Sequence, residues 1–310
     1  MQFERLLELN SIDDMSIQVK KIGNDNIPLM VVDNFLKYPE MVREFALSLN
    51  YNKPVGSDLW PGIQAVASLN RKNIEEFIVR YYLEPILGLD CSNYHFPAVR
   101  PGTKADQWSS WFLLTRFGAV TMPFDEAPWA KNPHVDYFGF IASVLYLSLP
   151  EQSRGGTVFI RHRETGIETI PPTALGLPDR LRCILKETRS HEIIYGKIFD
   201  EWWAEHGKSW DHEEPLKKDE GQVLTEKGFD IVCQRIMTGN TPTSGYLTQS
   251  NPVWEITDQV DVAFNRLVLY PTWHLHSISW DPTWYGKTLA ERRLTMMNWL
   301  NFPVEGLSHK

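Results

Sequence analysis

The sequence predicts a protein of the α+β class with a mainly β core, in which an antiparallel two-sheet sandwich or jelly roll follows two helices. Short runs of aromatic and branched residues dominate the chain after residue 108, and turn signals such as SRGG and DPTW separate several of them. The runs do not alternate cleanly between apolar and polar residues, which indicates sheets covered on both faces. With 310 residues, of which 43% are apolar, the chain is long enough to bury such a core.

The first predicted elements lie between residues 27 and 64. Residues 27–50 are typical of a short apolar strand, a turn and a helix that begins near Pro39. The residues of this helix that share one face, and that we expect in the core, are Met41, Val42, Phe45, Ala46 and Leu49. Residues 57–64 (SDLWPGIQ) predict a turn.

A second helix is predicted from about residue 71 to residue 87, where Gly88 ends it. Its apolar residues at three-to-four-residue spacing are Ile74, Phe77, Ile78, Tyr81 and Tyr82. Together these elements indicate that residues 1–107 form a flank that packs on the β core.

Residues 108–310 are predicted to form the core itself, in one compact unit with the flank. The predicted strands are 111–117, 140–149, 157–162, 265–271 and 292–300. Between the third and fourth of them, residues 164–262 predict an insertion, with a helix at 190–207 and a charged loop at 209–221. Structureless connections of this length are uncommon in compact folds, so we expect a lid or an interface there.

Composition limits the function classes. The net charge of −8 disfavours a protein whose main partner is nucleic acid, because that affinity comes mostly from Lys and Arg. No stretch has the roughly 18 apolar residues that a membrane span needs, and the N-terminus lacks the pattern of a signal peptide. Three widely spaced cysteines (Cys91, Cys183 and Cys233) predict neither a disulfide framework nor a zinc ribbon, and we interpret them as thiols in a cytoplasmic protein.

The first candidate for chemistry is His134 with Asp136, immediately before the apolar run at 140–149. In an extended chain, residues two apart face the same way, so the imidazole and the carboxylate can meet on one metal ion. A chain with nine histidines also contains such a triplet by chance. The triplet alone therefore does not establish a site.

Two further stretches supply candidates. Residues 269–279 bring His274 and His276 to the end of a predicted strand, and residues 291–302 place Arg292 and Arg293 at the head of the last one. Each has an ordinary explanation, a hydrogen-bonded histidine at a strand end or a surface arginine. Their order along the chain, after His-x-Asp, is more informative than any of them alone.

In this order of motifs the sequence resembles the Fe(II)- and 2-oxoglutarate-dependent oxygenases, over roughly residues 108–162 and 253–302. The N-terminal VVDNFL and WPG stretches are similar to a little-characterised bacterial branch of that superfamily. The resemblance implies a double-stranded β-helix, the cupin-like form of the jelly roll. It also implies an Fe(II) cofactor, 2-oxoglutarate as cosubstrate, and a hydroxylation in which O2 is consumed.

Carried onto this chain, the resemblance makes His134 and Asp136 the proximal metal ligands and His276 the distal one, with His274 the weaker choice. It places 2-oxoglutarate on Arg293 and Thr295, with Arg292 as the rival. The distance from His276 to Arg293 is longer than is usual in the family. Two imidazoles and one carboxylate on one face of an octahedral ion leave three open positions, and a guanidinium with a neighbouring hydroxyl suits the far carboxylate of a dicarboxylate.

Other residues qualify this assignment. Related halogenases replace the carboxylate of the triad with a small residue, so Asp136 favours hydroxylation or another oxidative outcome of hydrogen abstraction. Tyr146 and Asn298 lie on strands that should border the pocket, Tyr146 as a candidate cosubstrate contact and both with packing as the alternative. His162 and His191 are interpreted as structural, and Cys183 and Cys233 as buried thiols.

The alternatives are a noncatalytic jelly-roll binding module and a cupin-like metal enzyme that does not use 2-oxoglutarate. Trp202, Trp203 and Trp210 in the insertion predict either a lid over the metal or a homodimer interface. A lid would favour a peptide or another sizeable substrate. The sequence does not identify that substrate.

Overall fold

A computed structural model describes residues 5–53, 61–91, 115–121, 133–136, 141–163, 166–170 and 246–300. Within these ranges the protein is mainly antiparallel β with few helices, as the sequence predicts. The strands are β1 (Ser16–Ile22), β2 (Ile27–Asp33), β3 (Gly62–Ala67), β4 (Thr115–Val120), β5 (Ile141–Tyr146), β6 (Gly156–His162), β7 (Trp254–Asp261), β8 (Arg266–Pro271), β9 (His276–Ser279) and β10 (Leu294–Leu300).

Within the described ranges the helices are few and short. They are α1 (Pro39–Leu47), α2 (Lys72–Ile78), a π-helix (Val79–Leu83), and single turns of 3-10 helix at Ile12–Asp14, Pro150–Gln152, Pro282–Trp284 and Leu289–Glu291. None of the helices in the described ranges is long and apolar enough to span a bilayer.

The strands form two sheets that face each other. The large sheet has seven strands in the order β1-β2-β8-β5-β10-β4-β3, and the small sheet has three in the order β7-β6-β9. A core between the sheets joins Tyr146 and Tyr270 of the large sheet to Phe159 and Val260 of the small one. The other face of the large sheet packs against α1 and α2 through a second core that includes Val42, Phe77, Leu145, Leu269 and Met296.

Alternation along the strands of the large sheet explains why both of its faces are covered. In β8, Leu267 and Leu269 face the helices, whereas Val268 and Tyr270 face the small sheet. Successive side chains of a strand point to opposite faces, so a strand buried on both sides is apolar at every position. This is the reason for the apolar runs without clean alternation.

The chain alternates between the two sheets. From β4 it passes through residues 133–136, which pair with the start of β9 by an antiparallel bridge between His134 and His276. It then runs through β5 in the large sheet, β6 and β7 in the small sheet, β8 in the large, β9 in the small and β10 in the large. Eight extended segments therefore line one interior.

Several predicted elements are confirmed, with adjusted bounds. The first helix begins at Pro39 as expected, and Val42 and Ala46 are fully buried on its inner face. Four predicted strands are present as β5, β6, β8 and β10. Of the predicted strand at 111–117, residues 115–117 begin β4, and the others lie outside the described residues.

The predicted turn at 57–64 is wrong for its last residues, because Gly62–Gln64 begin β3. Among the named strands it pairs only with β4, so it forms an edge of the sheet. The WPG sequence at its start is a turn signal, so the sequence pattern does not show where the strand begins. Strand β1 lies at the other edge, and the sequence analysis does not include it. Five of its seven residues are exposed, which leaves no periodic apolar signal.

The predicted helix at 71–87 is also changed. Its α-helical part ends at Ile78 and continues as a π-helix to Leu83. Ile74, Phe77, Ile78 and Tyr82 are buried as expected, but Tyr81 is only half-buried. The wider π turn changes the spacing at which side chains return to one face, which the sequence pattern does not reveal.

The range assigned to the insertion, 164–262, contains structured parts at both ends. Strand β7 pairs with β6 along its whole length, so residues 254–261 belong to the small sheet. At the other end, Thr169 forms an antiparallel bridge with His274. Residues 171–245, with Cys183, His191, Trp202, Trp203, Trp210 and Cys233, lie outside the described residues.

Candidate metal centre

Three predicted ligands meet at one end of the space between the sheets. One ligand atom from each of His134, Asp136 and His276 lies within 4.8 Å of the others. His134 Nε2 is 3.9 Å from Asp136 Oδ1, and His276 Nε2 is 3.7 Å from Asp136 Oδ2. His276 lies 140 positions after Asp136 in the chain, so the fold and not local sequence brings it to the His134 and Asp136 pair.

Backbone pairing places the triad. His134 N–H donates to the His276 carbonyl at 3.0 Å, and His276 N–H donates to the His134 carbonyl at 2.9 Å. Asp136 N–H donates to the Thr272 carbonyl at 3.0 Å, which ties the segment to the turn between β8 and β9. An extended segment at 133–136 thus directs His134 and Asp136 to one side, as their spacing predicts.

The tautomer and the protonation state of His276 suit metal binding. His276 Nδ1 lies 2.8 Å from the His274 carbonyl oxygen, so Nδ1 carries the proton and donates it, which leaves Nε2 with a free lone pair towards Asp136. Burial, and then the neighbouring His134, lower the pKa of His276 to about 4. The imidazole is therefore neutral near pH 7, the form that coordinates metal.

The three side chains fit a divalent metal ion by these criteria. Two atoms bound to one ion at roughly 2.1 Å are at most about 4.2 Å apart, and both distances to Asp136 satisfy that limit. A set of two imidazoles and one carboxylate suits Fe(II), with other first-row divalent ions as competitors. His274 does not join the set. It is fully buried against the Phe159 ring, and its Nδ1 lies 2.9 Å from the Leu275 carbonyl oxygen.

A cavity of about 70 Å³ adjoins the triad. Since a water molecule needs roughly 10–15 Å³, this space accommodates several ligand atoms beside the three side chains. It lies between the two sheets and is lined by the triad and by Pro61, Ala142, Ser143, Val144, Thr157, Tyr270, Ser277, Ile278, Arg293, Met297 and Trp299.

Arg293 lies in the wall of this cavity and is 3% exposed. Its guanidinium stands 5.2 Å from the centre of the Tyr146 ring, and one Nη donates to the Gly156 carbonyl at 3.2 Å. Its Nε has no hydrogen-bond partner, and no carboxylate among the described residues pairs with it. A buried cation with this surplus of donors favours an anionic ligand in the cavity.

The rival arginine lies elsewhere. Arg292 follows the 3-10 turn at Leu289–Glu291, and its Nη2 donates to the Lys287 carbonyl at 3.3 Å in the preceding loop. It is not among the residues that line the cavity. Of the two arginines, only Arg293 shares the space with the triad.

Tyr146 and Thr295 lie behind Arg293 and are fully buried. Tyr146 and Thr157 share a hydrogen bond of 2.7 Å between their hydroxyl groups, and the Thr295 hydroxyl donates to the Gly118 carbonyl at 3.4 Å. Neither Tyr146 nor Thr295 lines the cavity. In this arrangement they position the arginine and its strand.

Glycine at the start of β6 is required for this arrangement. At Gly156, φ is 152°, and a Cβ would lie 1.9 Å from the Val260 carbonyl oxygen. A side chain there would force β7 away from β6 and displace the carbonyl that Arg293 binds. The G-G-T turn in the sequence thus supports the arginine end of the cavity.

Other predicted residues have structural roles. Asn298 Oδ1 accepts a hydrogen bond of 3.3 Å from Arg71, on the helix side of the large sheet and away from the cavity. His162 packs edge-on against Trp254 and is buried. Cys91 is a free, buried thiol, and burial raises its pKa to about 11.

Two further contacts of the triad have no signal in the spacing of its ligands. Trp299 Nε1–H donates to Asp136 Oδ2 at 2.8 Å, and the Tyr270 ring packs edge-on to His276 at 4.9 Å. Residues 293, 297 and 299 all face the cavity, so alternation along β10 is the signal that leads to Trp299. Cross-sheet neighbours such as Tyr270 leave no trace in the spacing.

Comparison with known proteins gives a family without an assigned function. A family model described as "Family of unknown function (DUF6445)" matches residues 13–176 and 212–299. No curated protein and no solved structure matches the chain. Because the model covers most of the chain, the protein belongs to the DUF6445 family.

Proposed function

We propose that this protein is an Fe(II)- and 2-oxoglutarate-dependent oxygenase built on a double-stranded β-helix. The observation that carries the proposal is one cavity that joins His134, Asp136 and His276 to the buried Arg293, which pairs with no carboxylate among the described residues. A metal triad alone fits many proteins. A fixed positive charge in the same small space adds recognition of an acid, which is the combination that the resemblance implies.

The strand order supports this form of the jelly roll. Eight segments of the described chain, from β4 to β10 and including residues 133–136, pass between two facing sheets, with β6 and β7 consecutive in the small one and the triad at one end of their interior. This arrangement is the one expected of a cupin-like jelly roll. The N-terminal strands β1, β2 and β3 extend the large sheet at its two edges.

The residues divide the work between binding and orientation. His134, Asp136 and His276 would hold Fe(II), and Arg293 would bind the far carboxylate of 2-oxoglutarate through charge-assisted hydrogen bonds. When bound, the metal and the keto acid supply the oxidising chemistry: O2 is reduced, 2-oxoglutarate is converted to succinate and CO2, and one oxygen atom is added to the substrate.

The chain's own residues control access and water. The His134 side chain is 36% exposed, whereas those of Asp136 and His276 are 12% and 7% exposed, so substrate approaches from the side of His134. Tyr270, Met297 and Ile278 make the wall apolar, which limits water near the reacting groups. We take the substrate to be a peptide or another molecule too large for the cavity alone.

The proposal is tested with metal-free protein under anaerobic conditions. Fe(II) and 2-oxoglutarate are added in turn while visible absorption is recorded, and succinate is measured after O2 is admitted. We expect a weak charge-transfer band that needs both additions and a slow, metal-dependent release of succinate. Asp136→Ala should abolish the band, and Arg293→Leu should shift its appearance to much higher keto acid concentration.

The outcomes separate the alternatives. Metal binding without any effect of 2-oxoglutarate would favour a metal enzyme that does not use the keto acid. No specific metal binding by the wild-type protein would favour a noncatalytic module and would contradict the proposal. Arg292→Leu is the matched control, because it removes an arginine next in sequence that does not line the cavity.

A further inference from the structure

The indole of Trp299 contacts the carboxylate of the triad from the opposite sheet. Its Nε1–H donates a hydrogen bond of 2.8 Å to Asp136 Oδ2, and its ring forms part of the cavity wall. Asp136 belongs to the segment that pairs with β9, whereas Trp299 lies on β10 of the large sheet. A large-sheet residue therefore restrains a ligand carried by the small-sheet side.

This contact limits how the carboxylate can turn. A carboxylate binds a metal through one oxygen or through both, and rotation about its last side-chain torsion exchanges these modes. The indole N–H occupies one lone-pair direction of Oδ2, which also lies 3.7 Å from His276 Nε2, while Oδ1 lies 3.9 Å from His134 Nε2. Groups that orient metal ligands in this way typically change metal affinity by roughly 10–100-fold when they are removed.

A cation lies over the ring face of the same indole. The Arg116 guanidinium on β4 is 5.7 Å from the centre of the Trp299 ring, and its Nη1 donates to Gln64 Oε1 on β3 at 3.4 Å. Burial lowers the pKa of Arg116, yet an arginine remains charged near neutrality. Positive charge over the ring face makes the indole N–H a stronger donor.

We propose that Trp299 is a positioning residue of the metal centre. Its N–H fixes the orientation of the Asp136 carboxylate, and Arg116 fixes the indole and strengthens its hydrogen bond. The inference rests on the proposed function in one respect, since Asp136 must be a metal ligand for its orientation to matter. It adds a ligand-orienting pair that the His-x-Asp motif does not specify.

The test compares how two Trp→Phe variants bind Co(II). Co(II) is titrated into each metal-free protein, and binding is measured from the titration and from the visible d–d bands. Trp299→Phe removes the N–H and keeps an aromatic face for Arg116. Trp280→Phe is the matched control, because the Trp280 indole is fully buried and its Nε1 makes no hydrogen bond. We expect Trp299→Phe to bind Co(II) about 10–100-fold more weakly with altered d–d bands. Trp280→Phe should match the wild type in both readouts.

A second variant examines the cation. Arg116→Met removes the charge and keeps an apolar stem on the ring, and we expect a smaller loss of Co(II) affinity, about threefold, with a measurable change in the bands. Thermal unfolding of each variant checks folding. If Trp299→Phe folds poorly, the Arg116→Met titration decides, and wild-type affinity with wild-type bands would overturn the inference.

The inference and the proposed function fail in different ways. If wild-type protein binds no Co(II), the metal centre itself is wrong and the inference falls with it. If wild type binds Co(II), Asp136→Ala does not, and Trp299→Phe binds within twofold of wild type with unchanged bands, the metal centre stands. In that case the positioning role of Trp299 is wrong.

Discussion

The two ends of the cavity hold their polar groups in opposite ways. At the metal end, His134 and Asp136 are joined to the strand β9 side by backbone hydrogen bonds to His276 and Thr272, and His134 is partly exposed. At the other end, Arg293 is 3% exposed and packs on the Tyr146 ring within a seven-stranded sheet.

This difference assigns different tasks to the two ends. The metal end is open, which suits exchange of ligands and approach of substrate. The arginine end is closed and held in position before any ligand arrives, so little ordering is needed when an acid binds. A buried charge without a carboxylate partner is costly in the free protein, and that cost is offset only when an anion is bound.

The largest expected effect is on metal affinity, which distinguishes the metal end of the cavity from the arginine end. Asp136→Ala should weaken binding of Fe(II) or Co(II) by at least about 100-fold, because an uncharged site with two imidazoles remains. Titration of metal-free protein measures this. Asp258→Ala on β7, which removes a carboxylate paired with Lys20, should bind metal like the wild type. Equal loss in both variants would mean that charge in general, and not the triad, attracts the metal.

The next effect concerns the keto acid. Arg293→Leu should raise the concentration of 2-oxoglutarate needed for the anaerobic band by about 10–100-fold, since a charge-assisted pair contributes roughly 1.5–3 kcal/mol. Metal affinity should change less than threefold. Arg292→Leu should leave both quantities unchanged.

The same variant tests whether Arg293 serves stability. Because Leu replaces a buried cation that no carboxylate of the described residues neutralises, we expect the free energy of unfolding of the metal-free protein to stay constant or rise. A fall of more than about 2 kcal/mol in chemical denaturation would contradict this and would make Arg293 a structural residue.

A further prediction concerns the dependence of stability on pH. His274 and His276 are buried, and burial lowers the pKa of each to about 4. The unfolded chain takes up these protons below about pH 6.5 and the folded protein does not, so stability falls as pH decreases from about 6.5 to about 4. In metal-free protein, His274→Asn should reduce this fall by about 2 kcal/mol, measured by urea unfolding across that range.

The smallest expected effect concerns Thr295. Its hydroxyl bonds to the Gly118 carbonyl and does not line the cavity. Thr295→Val should therefore lower stability by about 1 kcal/mol and change the affinity for 2-oxoglutarate by less than about threefold. A tenfold loss of keto acid affinity would show that the hydroxyl turns towards the ligand and anchors it with Arg293.

The metal end was accessible from the sequence, and the reason is geometric. His134 and Asp136 share a face because they are two apart in an extended segment, and His276 is marked by its place after an apolar strand. Four strands around these residues were also predictable, since β5, β6, β8 and β10 are apolar and bounded by turn signals.

The arginine end and the edges of the sheet were less accessible. Spacing did not decide between Arg292 and Arg293, because a one-residue shift in where β10 begins reverses which of them faces the cavity. Strands β1 and β3 lie at sheet edges, where few buried residues create a pattern. The Trp299 to Asp136 contact depends on how two sheets are stacked, which a linear pattern does not encode.

Strand β10 connects the two ends of the cavity through one continuous stretch of backbone. Arg293 directly precedes it, and Trp299, near its end, follows Arg293 by six positions, or roughly 20 Å of extended chain. Adding or deleting one residue between them would turn one of the two side chains into the apolar layer beneath the helices. A change of length in this strand would therefore separate the two groups, whereas a change of length in the loops before it would not. Family members that keep one of these two groups in register are expected to keep the other.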